Sequence, residues 1–266
     1  MISIAFFISG RLTCYEENLI PILDFLSNKY HISLFFSINS EKNEYFELAE
    51  KKLNKWLKYT HYENYIAPND FINTHPETLN QIINGKKLPF TNLSCFYNDM
   101  KSFELITNYQ KDFNFKFDII SKLRPDLIFY NLNYLNFIKN YDEDLIINTC
   151  IPPCPIYIYG FTDTPMMISD AFVYGNYKTM KIYCNTYNFI LKQNYKRNGN
   201  YRINYETTVT ENLINFYILD TTDKQIITDK ILNNNRNIKI NYFRCNYDIN
   251  NKRRMFDNFI EVSPHR

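Results

Sequence analysis

The chain reads as an α/β fold with one mostly parallel central sheet and helices on both faces. Three observations predict it. Apolar runs rich in β-branched and aromatic residues recur at 2–8, 31–38 and 117–123 without helical spacing, as strands buried on both faces require. Between them lie segments whose apolar residues return every three or four positions. Strand and helix patterns therefore alternate through the first half, and such a βαβαβ opening implies parallel strands joined by right-handed crossovers.

The first strand, 2–8, ends at Ser9-Gly10-Arg11. Residues 16–28 follow as a helix with Leu19, Ile22, Leu23 and Leu26 on one face. Residues 31–38 form the second strand. Residues 44–58 are an amphipathic helix turning Phe46, Ala49, Leu53, Trp56 and Leu57 inward, and 59–66 is the third strand. Residues 68–92 are polar, hold prolines and Gly85, and read as a long loop or lid. Residues 94–111 form a helix with Phe96, Met100, Phe103 and Ile106 toward the core, feeding the central strand at 117–123. A short strand at 144–149 runs into Pro152, Pro153 and Pro155, which break the chain. Another at 171–174 is closed by Gly175. Helices follow at 177–192 and 205–219, and the stretch from Lys230 carries one clear strand, 238–243, before a charged end. No internal repeat or linker divides the 266 residues.

The net charge is +2, and the basic residues are scattered. That balance gives no argument for nucleic acid, and the one tight cluster, Lys252-Arg253-Arg254, reads as a solvated tail. No stretch approaches the ~20 apolar residues of a membrane span. The apolar start lacks a basic leader and reads as a core strand rather than a signal peptide. The six cysteines lie far apart, except Cys150 and Cys154. Their Cys-Ile-Pro-Pro-Cys spacing is not the C-x-x-C of a zinc or redox site, so reduced thiols are expected. Abundant Asn, Lys, Ile, Tyr and Phe track A+T-rich codons, so a single Tyr or Asn is not a functional signal.

The central strand stops at Arg124-Pro125-Asp126. Pro125 cannot donate to a sheet ladder and biases Arg124 toward extended geometry. The strand thus ends by presenting Asp126, with Arg124 close behind it. Ligands of α/β sheets bind outside the carboxyl ends of strands. A carboxylate beside a guanidinium there suits a diphosphate, with or without a bridging metal. A strand-end turn carrying a solvated ion pair is the plainer reading. The first strand repeats the arrangement. Gly10, one of five glycines, allows positive φ or close backbone approach, and Ser9 and Arg11 face whatever binds there. Neither G-x-G-x-x-G nor the Gly-Lys-Ser/Thr ending of a phosphate-binding loop is present.

Two more stations complete an ordered set: Ser94-Cys95-Phe96-Tyr97 opening the helix before the central strand, and Ser169-Asp170-Ala171-Phe172-Val173-Tyr174-Gly175 before a later one. The series resembles a group of GT-A-type glycosyltransferases found in large DNA viruses and bacterial polysaccharide loci, across residues 2–219. It also departs from that pattern. Arg11 follows Gly10 directly, and Val173 stands where the pattern has Ala. The central strand ends in Asp126 alone, without D-x-D. Asp142-Glu143-Asp144 does spell D-x-D, but it follows a helical, polar stretch and reads as a solvated turn.

The resemblance implies a single GT-A-like (Rossmann-like) domain, with 1–130 as the nucleotide-binding half and 131–266 as the acceptor half and C-terminal tail. It implies transfer of a sugar from a nucleotide-sugar donor to a hydroxyl of a glycan or glycoprotein acceptor. Such transfer needs charge on the leaving diphosphate and, if the enzyme inverts, a base for the acceptor. Asp126 is the expected ligand of Mn²⁺ or Mg²⁺, or a contact to the sugar. Arg11, Arg124 and Lys101 are the cationic alternatives to a metal. Ser9, Gly10 and Ser94 are expected at the nucleotide pocket. Asp170 is the expected base, and Glu206, opening helix 205–219, is the rival. Both also have structural readings: Asp170 orders a turn, and Glu206 suits a helix N-terminus. His31 and His61 fall in strands, His75 in the long loop and His265 near the end. The expected setting is the cytoplasm, the host's if the protein is viral. Two alternatives stand beside this one. A sugar nucleotidyltransferase would want a Gly-rich basic loop that Gly10-Arg11-Leu12-Thr13 matches poorly. A non-catalytic carbohydrate- or nucleotide-binding protein on the same fold would account for the missing D-x-D.

Overall fold

Alternating side chains explain the sheet. In β1 (Ser3–Gly10), Ile4, Phe6 and Ile8 join one hydrophobic core while Ala5 and Phe7 join another on the opposite face. The first core is closed by Leu19, Ile22, Leu23 and Leu26 and by Phe46, Ala49 and Leu53. These come from α1 (Ile20–Ser27) with the turn before it, and from α2 (Glu44–Leu53). The second core is closed by Phe96, Phe103 and Ile106 of α3 (Pro89–Asp112). Met180 and Tyr183 of α4 (Tyr177–Cys184), and Ile190 of α5 (Thr186–Lys192), complete it. The computed structural model describes residues 1–69, 89–129, 145–150, 172–192, 209, 212, 238–243, 246–248, 253–256 and 260–262.

The remaining strands are β2 (His31–Ile38), β3 (Leu57–Tyr62), β4 (Ile119–Leu123), β5 (Leu127–Phe129), β6 (Leu145–Cys150), β7 (Phe172–Gly175), β8 (Ile238–Phe243), β9 (Asn246–Asp248), β10 (Arg253–Phe256) and β11 (Ile260–Val262). Seven form the main sheet in the order β3-β2-β1-β4-β7-β6-β8. β1 pairs in parallel with β2 and β4, with Phe7 opposite Lys122. β7 runs antiparallel to both of its neighbours, and the other pairings are parallel. The sheet is thus mostly parallel and flanked by helices, as the sequence predicts.

Several boundaries differ from expectation. The expected helix 44–58 stops at Leu53. The Leu34 amide donates to the Trp56 carbonyl (2.9 Å), so Trp56 already belongs to the sheet's edge and β3 begins at Leu57. The expected helix 16–28 opens with a wide turn, Tyr15–Leu19, in which the Ile20 amide donates to Tyr15 five residues back. Pro21 follows and has no amide to donate. α3 starts at Pro89 rather than Ser94, so residues 89–92 are helix and not loop; proline suits a first helical turn. It ends where Asn114 adopts φ 46°. The expected helix 177–192 is two helices divided at Asn185. The charged end is not a free tail: Arg253 and Arg254 open β10, and β11 pairs with β5, setting Val262 opposite Leu127. Of helix 205–219 only Val209 and Asn212 are described, both buried, with the Asn212 amide donating to the Ile182 carbonyl (2.7 Å).

Candidate functional site

The parallel pairing of β1 and β4 brings two turns side by side at one edge of the sheet. Gly10 closes β1 with φ +94°. That conformation is what requires glycine, because a Cβ added there would meet nothing within 4 Å. Close backbone approach is therefore not the reason for it. Arg11 follows and is exposed.

β4 ends in the Arg124-Pro125-Asp126 turn, closed by the Leu127 amide donating to the Arg124 carbonyl (3.3 Å). Arg124 grips Asp126 with both arms of its guanidinium: Nε donates to Oδ1 at 2.9 Å and a terminal nitrogen to Oδ2 at 2.5 Å. Asp126 is only 5% exposed. The sequence brings this pair together correctly, but the carboxylate is buried rather than presented to solvent. Fork-to-fork pairing fixes the direction of both groups.

Beneath the two turns lies a polar layer that the motifs did not reveal. Asp99 of α3, 1% exposed, accepts a short hydrogen bond from the Ser9 hydroxyl and pairs with the Lys122 ammonium (2.8 Å). Lys122 is itself buried. At the neighbouring position of α3, the Ser37 hydroxyl of β2 donates to Asn98 (2.8 Å), whose amide nitrogen donates to the Ser94 carbonyl (2.7 Å). The Ser102 hydroxyl donates to the Ile8 carbonyl (3.4 Å). Cys184 is fully enclosed nearby. Burial raises its pKa well above the ordinary thiol value, and the Asp99 charge adds to the shift. One signal was available in the sequence: Lys122 interrupts an apolar strand, and a charge there needs a partner once buried.

Ser9 thus spends its hydroxyl proton on Asp99, and Ser94 lies buried inside α3 rather than at its start. Lys101 pairs with Glu104 (2.9 Å) and lies over the Tyr97 ring, 5.5 Å from its centre. The Tyr97 hydroxyl donates to Glu63 (2.6 Å), which also meets His61 (2.9 Å). Tyr97's hydrogen bond, with a smaller contribution from His61, lowers the Glu63 pKa. Tyr65 and Tyr187 join through their hydroxyls (3.2 Å) beside this group. Lys101 therefore belongs to the Tyr97 and Glu63 group. His31 is exposed. Asp170, Glu206, His75, His265, Cys154 and Asp142-Glu143-Asp144 lie outside the described residues.

Among the described residues, no three His, Cys, Asp or Glu side chains converge to hold a metal. Both Asp126 oxygens accept from Arg124. The described residues do not assemble a cation cage. No described helix is long and apolar enough to cross a membrane.

Neither a family model nor a curated protein matches the chain. Among solved structures, it is similar to an active-site mutant of LgtC at 12% identity and TM-score 0.43, over 91% of this chain and 73% of that one. It is also similar to the galactosyltransferase LgtC in complex with donor and acceptor sugar analogs, at 10% identity and TM-score 0.39, over the same shares. A third likeness is to the nucleoside-diphosphate-sugar pyrophosphorylase from Vibrio cholerae, at 10% identity and TM-score 0.37, over 90% of this chain and 91% of that one. Identities and scores this low tie the chain to no activity.

Proposed function

We infer that the chain is a nucleotide-sugar-dependent glycosyltransferase acting on a hydroxyl of a glycan or glycoprotein. One observation carries this: the turns bearing Arg11 and Arg124 follow neighbouring parallel strands at the carboxyl edge of an α/β sheet, the edge where such sheets bind ligands. Two guanidinium groups there suit the two phosphates of a nucleoside diphosphate. In this mechanism Arg11 and Arg124 stabilise charge on the departing diphosphate. Asp126 holds the Arg124 guanidinium in direction. Ser9, Gly10, Ser94 and Lys101 belong to the nucleotide-binding half, 1–130. Asp170 takes the acceptor proton in the half 131–266, with Glu206 the rival.

A non-catalytic nucleotide-binding protein is favoured by a different observation. Asp126 is buried and held at both oxygens, which takes the one carboxylate of the Arg124-Pro125-Asp126 turn out of direct chemistry.

The test is thermal stability against nucleoside diphosphates and nucleotide sugars, with and without Mn²⁺, followed by assay for release of the nucleoside diphosphate. A ligand at ~100 times its Kd stabilises by about 2.7 kcal/mol. Stabilisation with turnover is expected. Stabilisation without turnover favours the binding protein, and no stabilisation by any nucleotide refutes both.

A further inference from the structure

On the α3 side of the sheet, β1 and β4 change character toward their carboxyl ends. Ala5, Phe7 and Ile120 are apolar, fully buried members of the core. Ser9 and Lys122, further along the same strands, are polar. Asp99 stands between them, accepting from the Ser9 hydroxyl and the Lys122 ammonium. Ser9 immediately precedes Gly10, and Lys122 precedes Arg124 by two residues. A single buried carboxylate therefore ties the last turns of two neighbouring strands to one long helix.

We propose that Asp99 is a positioning residue. Through Ser9 and Lys122 it fixes the Gly10-Arg11 turn relative to the Arg124-Pro125-Asp126 turn, so that both guanidinium groups meet one diphosphate. Only the identity of the ligand rests on the glycosyltransferase reading. Asp99 is 1% exposed and does not itself reach a ligand. Hydrogen bonds to an ionised acceptor are short and directional, and a helix holds such a group more accurately than a loop. A buried ion pair often adds little stability over an apolar replacement, so stability alone is a weak reason for this one.

The test compares the wild-type chain with Ser9→Ala, Ser9→Thr, and a charge-balanced double variant, Asp99→Asn with Lys122→Met. Amide hydrogen exchange is measured on each, and affinity for UDP and GDP by calorimetry. In Ser9→Ala and the double variant, the amides of residues 10–12 are expected to exchange about tenfold faster while β2 keeps its protection. Ser9→Thr, which keeps the hydroxyl, restores slow exchange. Nucleotide affinity in the double variant falls about tenfold, as loss of a charge-assisted hydrogen bond implies. Wild-type exchange at 10–12 in Ser9→Ala overturns the proposal. So does a folded double variant with unchanged affinity, which reduces Asp99 to a structural role. If no nucleoside diphosphate of the stability panel binds the wild type, the functional reading fails and exchange alone decides the positioning role. If the double variant does not fold, the two Ser9 variants decide it.

Discussion

Lys122 and Asp99 form an ion pair inside the protein, the ammonium lying 2.8 Å from one carboxylate oxygen and 3.0 Å from the other. Their side chains are 5% and 1% exposed. Removing one partner of such a pair leaves a charge in a poor solvent. Lys122→Met is expected to destabilise the fold by about 3–5 kcal/mol. Adding Asp99→Asn removes the stranded charge and is expected to recover much of that loss. Chemical denaturation of both variants measures it, and a Lys122→Met protein as stable as the wild type would contradict the burial of the pair.

Asp126→Asn keeps the shape of the side chain and removes its charge. One of the two hydrogen bonds from Arg124 is lost, because an amide nitrogen cannot accept, and the other loses its charge on the acceptor; contributions of this kind run to about 1.5–3 kcal/mol. A folded but less stable protein with no transfer activity is expected. Wild-type turnover would take Asp126 out of the mechanism. Complete unfolding, read by circular dichroism, would make it a structural partner of Arg124 alone.

Arg11 is exposed beside Gly10, so its removal should cost the fold little. Arg11→Ala is expected to weaken nucleoside diphosphate binding by about 1.5–3 kcal/mol, the range for hydrogen bonds to charged groups. Calorimetry with UDP and GDP checks this, and unchanged affinity would assign Arg11 to an idle surface.

A base acts on the acceptor and not on the nucleotide. Asp170→Asn is therefore expected to lose transfer while keeping affinity for the donor nucleotide, and Glu206→Gln to have the smaller catalytic effect. Steady-state rates and nucleotide affinity are measured together. A fully active Asp170→Asn, or a Glu206→Gln that alone stops transfer, reverses the assignment.

Glu63 gives a pH-dependent term with a defined sign. The Tyr97 hydroxyl is the main cause of its lowered pKa. The folded value lies below the unfolded one, so the stabilisation is present above the ordinary glutamate range and is lost as pH falls through the lowered value. Glu63 is 46% exposed at its side chain, so the term stays below about 1 kcal/mol. Melting temperatures of the wild type and Tyr97→Phe should converge on acidification from neutral pH to below about 4. A gap that does not narrow would show that the hydrogen bond does not govern Glu63.

The sequence by itself determined the elements that carry their own pattern. Residues 31–38 and 238–243 are strands at the expected bounds, because the first is a mostly apolar run without helical spacing and the second alternates Ile238, Ile240 and Tyr242 with Lys239 and Asn241. Leu19, Ile22, Leu23 and Leu26 are buried as their spacing requires. The Arg124 and Asp126 pair is two residues apart, and Pro125 constrains the turn, so that contact is local and legible. Only the tertiary structure decided the rest. The antiparallel course of β7 depends on how the chain returns to the sheet, and nothing within Phe172–Gly175 encodes a direction. β5 and β11 are three residues each and exist through their pairing, since so short a segment shows no period of its own. Asp99 meets Lys122 across a helix and a strand, 23 residues apart. Ser9 reaches the same carboxylate from 90 residues away. A buried charge announces that it needs a partner, but which partner it finds is settled by the packing of α3 on the sheet.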